Sequence, residues 1–146
     1  MNSNIQFFTE DISYTLKQKT ELRQWIKACA EVETREAGNI NIILCSDVYL
    51  YKMNVEYLNH DTFTDIITFD NTMEGEISGD LFISLERIRE NAREYSRKMS
   101  DELHRVIIHG ILHLCSYSDK TDEEKKKMRA RENIHLSRRS DKLSNS

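Results

Sequence analysis

The chain has 146 residues, of which 38% are hydrophobic and 32% are charged, and its formal net charge is −4. Such a composition is typical of a soluble globular domain that buries its own core, and it excludes a strongly basic nucleic-acid-binding protein. No apolar run approaches the ~18 residues of a membrane span, the N-terminus lacks the features of a signal peptide, and the three cysteines form no spaced pair. We therefore expect a cytoplasmic protein with reduced cysteines.

Strand-forming and helix-forming segments alternate in the first two thirds of the chain. Short β-rich runs predict strands at 4–9, 39–45, 65–69 and 80–84. The first helix is predicted to follow Thr20, and Ser46 and Ser84 are suited to cap the next two helices. Residues 71–79 contain two glycines and are predicted to be a loop.

Helices dominate the last third of the chain. One is predicted to begin at Ser100, where acidic residues follow near the positive end of the helix dipole. Thr121 and Glu124 have the spacing of a capping box, and the helix that they open is predicted to reach about His135. These segments together predict an α/β (α+β) fold, in which a single mixed sheet of about four strands is covered by helices.

One domain is expected over residues 1–138, because proline is absent and no linker divides the chain. Residues 139–146 are expected to be a disordered tail. The preceding run over 125–142 carries eight lysine or arginine residues against two acidic ones. Such a run is usually a solvated helix face with a loose end, and it is also compatible with a local phosphate-binding patch.

Residues 109–119, HGILHLCSYSD, have the spacing of a metal site. His109 and His113 are four residues apart, so on a helix they lie on one face. Asp119 follows at the position of the third ligand in the metzincin pattern His-x3-His-x5, in which the chain turns back after the second histidine. The pattern predicts one Zn²⁺ per chain, held by these three residues on a helix of the C-terminal half. The alternative is a core helix with two partly exposed histidines.

Gly110 bears on the chemistry of such a site. A metalloprotease of the HExxH type needs a glutamate at this position as its general base, and glycine cannot accept a proton. A peptidase is therefore disfavoured, and a hydrolase would have to activate water through the metal or a base from elsewhere. Of the remaining residues, His104 and His135 are expected at the surface, and Cys115 is expected in the core.

The motif and the segments before it resemble the YbeY family of bacterial rRNA maturation factors and endoribonucleases. The family signature HGxLHLxGYDH reads HGILHLCSYSD here. Residues 53–69, MNVEYLNHDTFTDIITF, are similar to the family segment LNxxYRGKDxPTDVLSF, and residues 79–84, GDLFIS, match the strand that follows it. Met128 and Glu132 fit the helix after the histidine motif. The resemblance covers about residues 40–136.

The resemblance implies a zinc-dependent, single-strand-specific endoribonuclease that acts in maturation of the 16S rRNA 3′ end and in ribosome assembly and quality control. It implies rRNA and the small ribosomal subunit as partners, and we expect a monomer that does not associate with membranes. Asn54, His60 and Asp65 are candidates to line the substrate cleft, and the last two are also candidates for catalysis. No other catalytic group is identified beyond a water molecule at the metal. Asn54 could instead bond to backbone near a helix, and Asp65 could instead cap a strand turn.

Three positions depart from the family pattern. Asp119 replaces a histidine, so the ligands would be two histidines and one carboxylate. Ser116 replaces a glycine at a turn. Leu58 replaces an arginine that the family uses in RNA processing, and leucine cannot bind a phosphate, although His60 lies two residues away. The alternative function is therefore a non-catalytic ribosome-assembly factor with a structural metal site.

Overall fold

The computed structural model describes residues 3–60 and 62–145. Within them, the strands are Asn4–Glu10 (β1), Glu36–Cys45 (β2), Ile66–Asp70 (β3) and Glu76–Ser84 (β4). The helices are Lys19–Val32 (α1), Asp47–Leu58 (α2), Leu85–Glu94 (α3), Met99–Leu114 (α4), Asp122–Ser137 (α5) and Asp141–Ser144 (α6). The predicted fold class, one mixed sheet of four strands covered by helices, is confirmed.

The sheet has the strand order β1-β2-β4-β3. β1, β2 and β4 are parallel, whereas β3 runs antiparallel to β4. β4 begins at Glu76, so the prediction of a loop over 71–79 was wrong for its last four residues. The cause is Gly79, which looked like a turn signal. It lies within the strand, where a Cβ atom would collide with the backbone carbonyl of Phe69.

α4 is buried along most of its length and packs on the sheet through Gly110. A Cβ atom at this position would lie 2.5 Å from Leu81 Cδ2 and 2.9 Å from Ile66 Cδ1. The glycine therefore lets the helix approach β3 and β4 closely. A glutamate in its place would have no room without displacement of α4.

The predicted caps agree with the structure in three places. Ser46 and Ser84 accept hydrogen bonds from the backbone N–H groups of Tyr49 and Arg87. Thr121 and Glu124 form a complete capping box. Two helix starts differ: α1 begins at Lys19 after a left-handed Gln18, and α4 begins at Met99.

The C-terminal segment differs from the expectation of disorder over 139–146. Ser140 caps α6, and Leu143 is 1% exposed within the main apolar core. A single leucine among polar residues gives no periodic signal, so its burial was not visible in the sequence. Ser146 lies outside the described residues. Among the described helices, none is both long and apolar enough to cross a membrane.

Candidate metal centre

The C-terminal half of α4 carries two histidines one turn apart, whose Nε2 atoms lie 3.0 Å from each other. α4 ends at Leu114, and the chain then turns back and brings Asp119 to the same point. Asp119 Oδ2 lies 3.1 Å from His109 Nε2 and 3.4 Å from His113 Nε2. One ligand atom from each residue lies within 4.8 Å of the others, so the three residues could hold one metal ion.

The outer nitrogen of each imidazole is held by an acceptor. His109 Nδ1 lies 2.8 Å from Glu132 Oε2, and His113 Nδ1 lies 3.0 Å from the backbone oxygen of Tyr117. Because a carboxylate and a carbonyl only accept, each Nδ1 carries a hydrogen, and in the neutral ring each Nε2 presents a lone pair. Two lone pairs and the Asp119 carboxylate thus converge, which is an arrangement that a cation satisfies and that fits a metal.

Glu132, on α5, is the second carboxylate of the site and is 4% exposed. It accepts hydrogen bonds from His109 and from Arg105 Nη1 (2.9 Å). Burial raises the pKa of Glu132, but these two partners outweigh burial and hold the pKa below its ordinary value. Burial likewise lowers the pKa of His109, and the charges of Glu132 and Asp119 reverse this and raise it. The environment of His109 therefore favours positive charge.

The turn that returns Asp119 is held from a distant part of the chain. Ser116 has a left-handed backbone (φ 76°), which a serine adopts at a cost that glycine avoids. The Tyr117 hydroxyl donates a 2.6 Å hydrogen bond to Glu33, which lies at the end of α1. The Tyr117 carbonyl also accepts from His113, so the same residue contacts a candidate ligand and the end of α1.

Two open clefts meet at the three candidate ligands, and Asp65, His109 and Asp119 line both. The first, the β3 cleft, has a volume of about 510 Å³ and lies beside α2 and β3. The candidates Asn54, His60 and Asp65 all line it. Leu58 also lines it and is 40% exposed, so the position that departs from the family pattern faces the candidate site.

The three cleft candidates differ in what their side chains do. Asn54 is buried, and its amide nitrogen donates to the backbone oxygen of Thr62 at 2.8 Å. This amide nitrogen therefore already binds the loop that contains Thr62. His60 is exposed. Burial raises the pKa of Asp65 above its ordinary value, more than the nearby His109 lowers it. Asp65 is the one carboxyl among these three candidates.

Two further histidines were placed wrongly at the surface. His104 is 3% exposed and His135 is fully buried. His104 Nδ1 lies 2.8 Å from Arg139 Nη1, and burial lowers the pKa of His104 to about 4. His135 Nε2 lies 2.6 Å from Glu33 Oε2. Their partners are 35 and 102 residues away in sequence, so no local pattern revealed these contacts. Cys115 is buried, as predicted.

The residues that support the histidines differ in how visible they are in the sequence. Arg105 stands four residues before His109, which places both on one face of α4, and this spacing was a usable signal. The contact between His109 and Glu132 spans 23 residues, and the carbonyl of Tyr117 has no side-chain signature. These two supports were not predictable as partners of the histidines.

Comparison with known proteins adds an independent result. The family model described as Endoribonuclease YbeY matches residues 4–140. A protein of Cytophaga hutchinsonii named Endoribonuclease YbeY is 49% identical over 136 residues, covering 92% of this chain and 95% of its own. A protein of Christiangramia forsetii with the same name is 47% identical, covering 88% and 89%. The solution structure of a Thermotoga maritima protein has a TM-score of 0.65 at 27% identity, covering 91% and 87%.

Proposed function

Because this chain belongs to the Endoribonuclease YbeY family, we propose that it is a zinc-dependent endoribonuclease that cleaves single-stranded rRNA. The observation that carries the proposal is the convergence of His109, His113 and Asp119 where two open clefts meet. In this role it acts in the cytoplasm as a monomer, on the 3′ end of 16S rRNA in the small ribosomal subunit, and contributes to ribosome assembly and quality control.

The ligand set supports a catalytic rather than a structural site. Among residues 3–60 and 62–145, no fourth histidine, cysteine or carboxylate joins the group, whereas a structural zinc site has four protein ligands. When bound, zinc supplies a Lewis acid that polarises a phosphate oxygen and makes a water molecule more acidic. Glu132 and the Tyr117 carbonyl would hold the two imidazoles with Nε2 free to bind the ion.

Hydrolysis of a phosphodiester also needs groups that move protons, because the attacking water loses one and the leaving oxygen gains one. We assign the first of these tasks to Asp65, which lines both clefts and has a raised pKa. His60 lies in the β3 cleft and is the second candidate for proton transfer. Gly110 faces the sheet and takes no part, which separates this chemistry from that of an HExxH peptidase.

The proposal is tested by RNA cleavage with metal-stripped and zinc-restored protein. We expect about one zinc per chain in protein purified without added metal, loss of cleavage after chelation, and recovery when zinc is returned. His113→Ala, purified in the same way, is the control for contaminating nuclease. Equal cleavage by the metal-free protein, or by this variant, would contradict the proposal.

A second function, that of a non-catalytic ribosome-assembly factor, is favoured by Leu58. This residue lines the β3 cleft and offers no donor to a phosphate. The variant Leu58→Arg discriminates between the two functions. An arginine there can donate paired hydrogen bonds to a developing negative charge, and one such well-placed donor changes rates by about 10²–10³-fold. We expect faster cleavage at unchanged zinc content and nearly unchanged RNA affinity.

Val55→Arg is the matched control for this variant. Val55 is on the same helix, is 42% exposed and is not among the residues that line the β3 cleft. It adds the same charge nearby and should leave cleavage unchanged. If Leu58→Arg folds, keeps its zinc and cleaves no faster than Val55→Arg, residue 58 does not limit catalysis, and the assembly-factor function becomes the better one.

A further inference from the structure

The second cleft at the metal centre, the α5 cleft, lies between the end of α3 and α5 and has a volume of about 490 Å³. Like the β3 cleft, it is lined by Asp65, His109 and Asp119. It differs in its cations, which are Arg97, Arg105, Lys125 and Arg129. The metal centre therefore has one side lined by four Arg or Lys side chains and one side lined by none.

Two of these four cations are neutralised within the protein. Arg97 Nη1 lies 2.9 Å from Glu102 Oε1, and Arg105 Nη1 lies 2.9 Å from Glu132 Oε1. Arg129 is different, because its Nε lies 4.0 Å from an oxygen of Glu132 that already accepts from Arg105, and its side chain is 55% exposed.

Lys125 is also exposed, and in the described part of the chain its side chain forms no ion pair. The two acidic groups of the cleft that remain are Asp65 and Asp119, and both face the metal site. The wall formed by α5 therefore carries two exposed positive charges. Lys125 has no ion partner in the described part of the chain, and Arg129 has only the 4.0 Å contact with a carboxylate that Arg105 already binds.

The position of these two residues distinguishes them from the other cations of the basic run over 125–142. Three of the others bind acidic residues elsewhere: Arg131 contacts Glu33, Arg139 contacts Asp101, and Lys142 contacts Glu21. Lys127 lies over the ring of Tyr117, and Lys126 and Arg138 do not line the α5 cleft. Lys125 and Arg129 are four residues apart, so they lie one turn apart on one face of α5.

An aromatic side chain lies in the same cleft. Tyr95, the C-cap residue of α3, is 58% exposed. The guanidinium of Arg97 lies over its ring, 5.2 Å from the centroid. A positively charged groove with an exposed aromatic ring is the combination by which proteins hold single-stranded nucleic acid without reading its sequence.

We propose that the α5 cleft holds the backbone of the single-stranded RNA on one side of the scissile bond, with Lys125 and Arg129 on phosphates and Tyr95 against a base. The inference rests on the proposed function in taking RNA as the ligand. It assigns substrate binding to two of the eight cations in the basic run. It also places the binding charge in a different cleft from Leu58, so that a leucine in place of the family arginine leaves RNA binding intact.

The test compares Lys125→Gln and Arg129→Gln with Lys126→Gln in the zinc-loaded protein. Lys126 is exposed on the same helix and does not line the cleft, so this control removes an equal charge one residue away. The probe is a fluorescent single-stranded RNA, whose binding is measured at several salt concentrations. One lost phosphate contact reduces the slope of log affinity against log salt by about 0.7, which corresponds to about fivefold weaker binding at 0.1 M salt.

We expect that loss for each of the two variants, an effect on cleavage that falls mainly on KM, and no change in Lys126→Gln. Zinc content is measured in parallel, because Arg129 lies near Glu132, whereas Lys125 has no such contact. Tyr95→Leu should also weaken binding, and Tyr57→Leu, at an equally exposed tyrosine outside both clefts, should not.

If Lys126→Gln weakens binding as much as Lys125→Gln, the charge acts non-specifically and the proposed subsite is wrong, even when the protein cleaves RNA with zinc. If the protein binds RNA through Lys125 and Arg129 but never cleaves it after zinc is restored, the subsite stands and the proposed enzymatic function fails. The two results are separate because binding and cleavage are measured independently.

Discussion

Two clusters of histidine and carboxylate meet at the turn after α4. The metal cluster comprises His109, His113, Asp119 and Glu132, and the buried cluster comprises Glu33, Tyr117, Arg131 and His135. Tyr117 joins them, because its carbonyl accepts from His113 while its hydroxyl donates to Glu33. The clusters contain the same kinds of residue, yet their hydrogen-bond balance is opposite.

In the buried cluster, one carboxylate meets three donors. Glu33 accepts from the Tyr117 hydroxyl at 2.6 Å, from Arg131 Nη2 at 2.6 Å and from His135 Nε2 at 2.6 Å. In the metal cluster, the Nε2 lone pairs and the Asp119 carboxylate face one another, and in the described part of the chain no Lys or Arg forms an ion pair with Asp119. The balance of donors and acceptors, rather than the number of histidines, therefore distinguishes a candidate ligand site from a structural one.

The protonation of the histidines follows the same division. Burial lowers the pKa of His135 despite the nearby Glu33. Its Nδ1 is buried without a partner among the described residues, so a second proton there would be unsatisfied and the ring is neutral. The pKa of His109 is raised instead, because Glu132 and Asp119 outweigh burial. His135 is thus buried as a neutral hydrogen-bond donor, whereas His109 lies where a positive charge is stabilised.

The largest difference between the two clusters is expected when one histidine is removed from each. His113→Ala should abolish zinc binding and with it cleavage, because only two ligands remain. His135→Ala should keep its zinc but lose stability, by about 2 kcal/mol, since it leaves a cavity and frees a buried carboxylate. Elemental analysis measures the zinc content of each variant, and urea unfolding measures its free energy of unfolding. Equal zinc in the two variants would remove His113 from the site.

The next largest effect concerns the ligand type. Asp119→Ala should weaken zinc binding by more than about 10²-fold, whereas Asp119→His should retain it, because imidazole reaches a similar distance and is an acceptable ligand. Competition with a chromophoric chelator measures both affinities. Indistinguishable affinities would show that Asp119 does not bind the metal and that the turn only brings it close.

A matched pair of glutamates tests the supporting residues. Glu132→Gln should weaken zinc binding by about 10- to 100-fold, because the carboxylate that orients His109 becomes a neutral amide. Glu33→Gln should leave zinc affinity nearly unchanged and lower the free energy of unfolding by about 2 kcal/mol at neutral pH. The same chelator competition and urea unfolding distinguish the two. A similar loss of zinc affinity in both would contradict a division between the clusters.

The stability difference between wild type and Glu33→Gln should also depend on pH. Burial opposes ionisation of Glu33, but its hydrogen bonds to Tyr117, Arg131 and His135 hold its pKa below the ordinary value. A depressed carboxyl pKa contributes stability that is present above the unfolded-state pKa of about 4.5 and is lost as pH falls through the folded-state value. The difference should therefore shrink below about pH 4.5, as measured by urea unfolding at several pH values. A constant difference would mean that the charge of Glu33 contributes nothing.

The two clusters also show how far the sequence alone could be interpreted. The spacing of His109 and His113 is local, so helix geometry placed both histidines on one face, and Asp119 follows a turn of only a few residues. Glu33 and His135 are 102 residues apart, and their pairing depends on how α1 packs beside α5, which no short pattern encodes. The same limit explains α6, since the burial of Leu143 is decided by the core that it meets.

The smallest expected effect is a change in stability at the turn that joins the two clusters. Ser116 has a φ of 76°, a left-handed conformation in which a Cβ atom costs about 1–2 kcal/mol. Glycine avoids this cost, but its greater freedom in the unfolded chain offsets about 0.5–1 kcal/mol of the stabilisation. Ser116→Gly should therefore raise the free energy of unfolding by about 0.5–1 kcal/mol, measured by urea denaturation of metal-free protein. Ser116→Ala is the control, because it removes the exposed 3.3 Å hydrogen bond from Arg35 but keeps the Cβ atom. If the turn only has to return Asp119, both variants should bind zinc as wild type does. A gain shared by Ser116→Ala would show that the hydroxyl, and not the left-handed backbone, is the source of the strain.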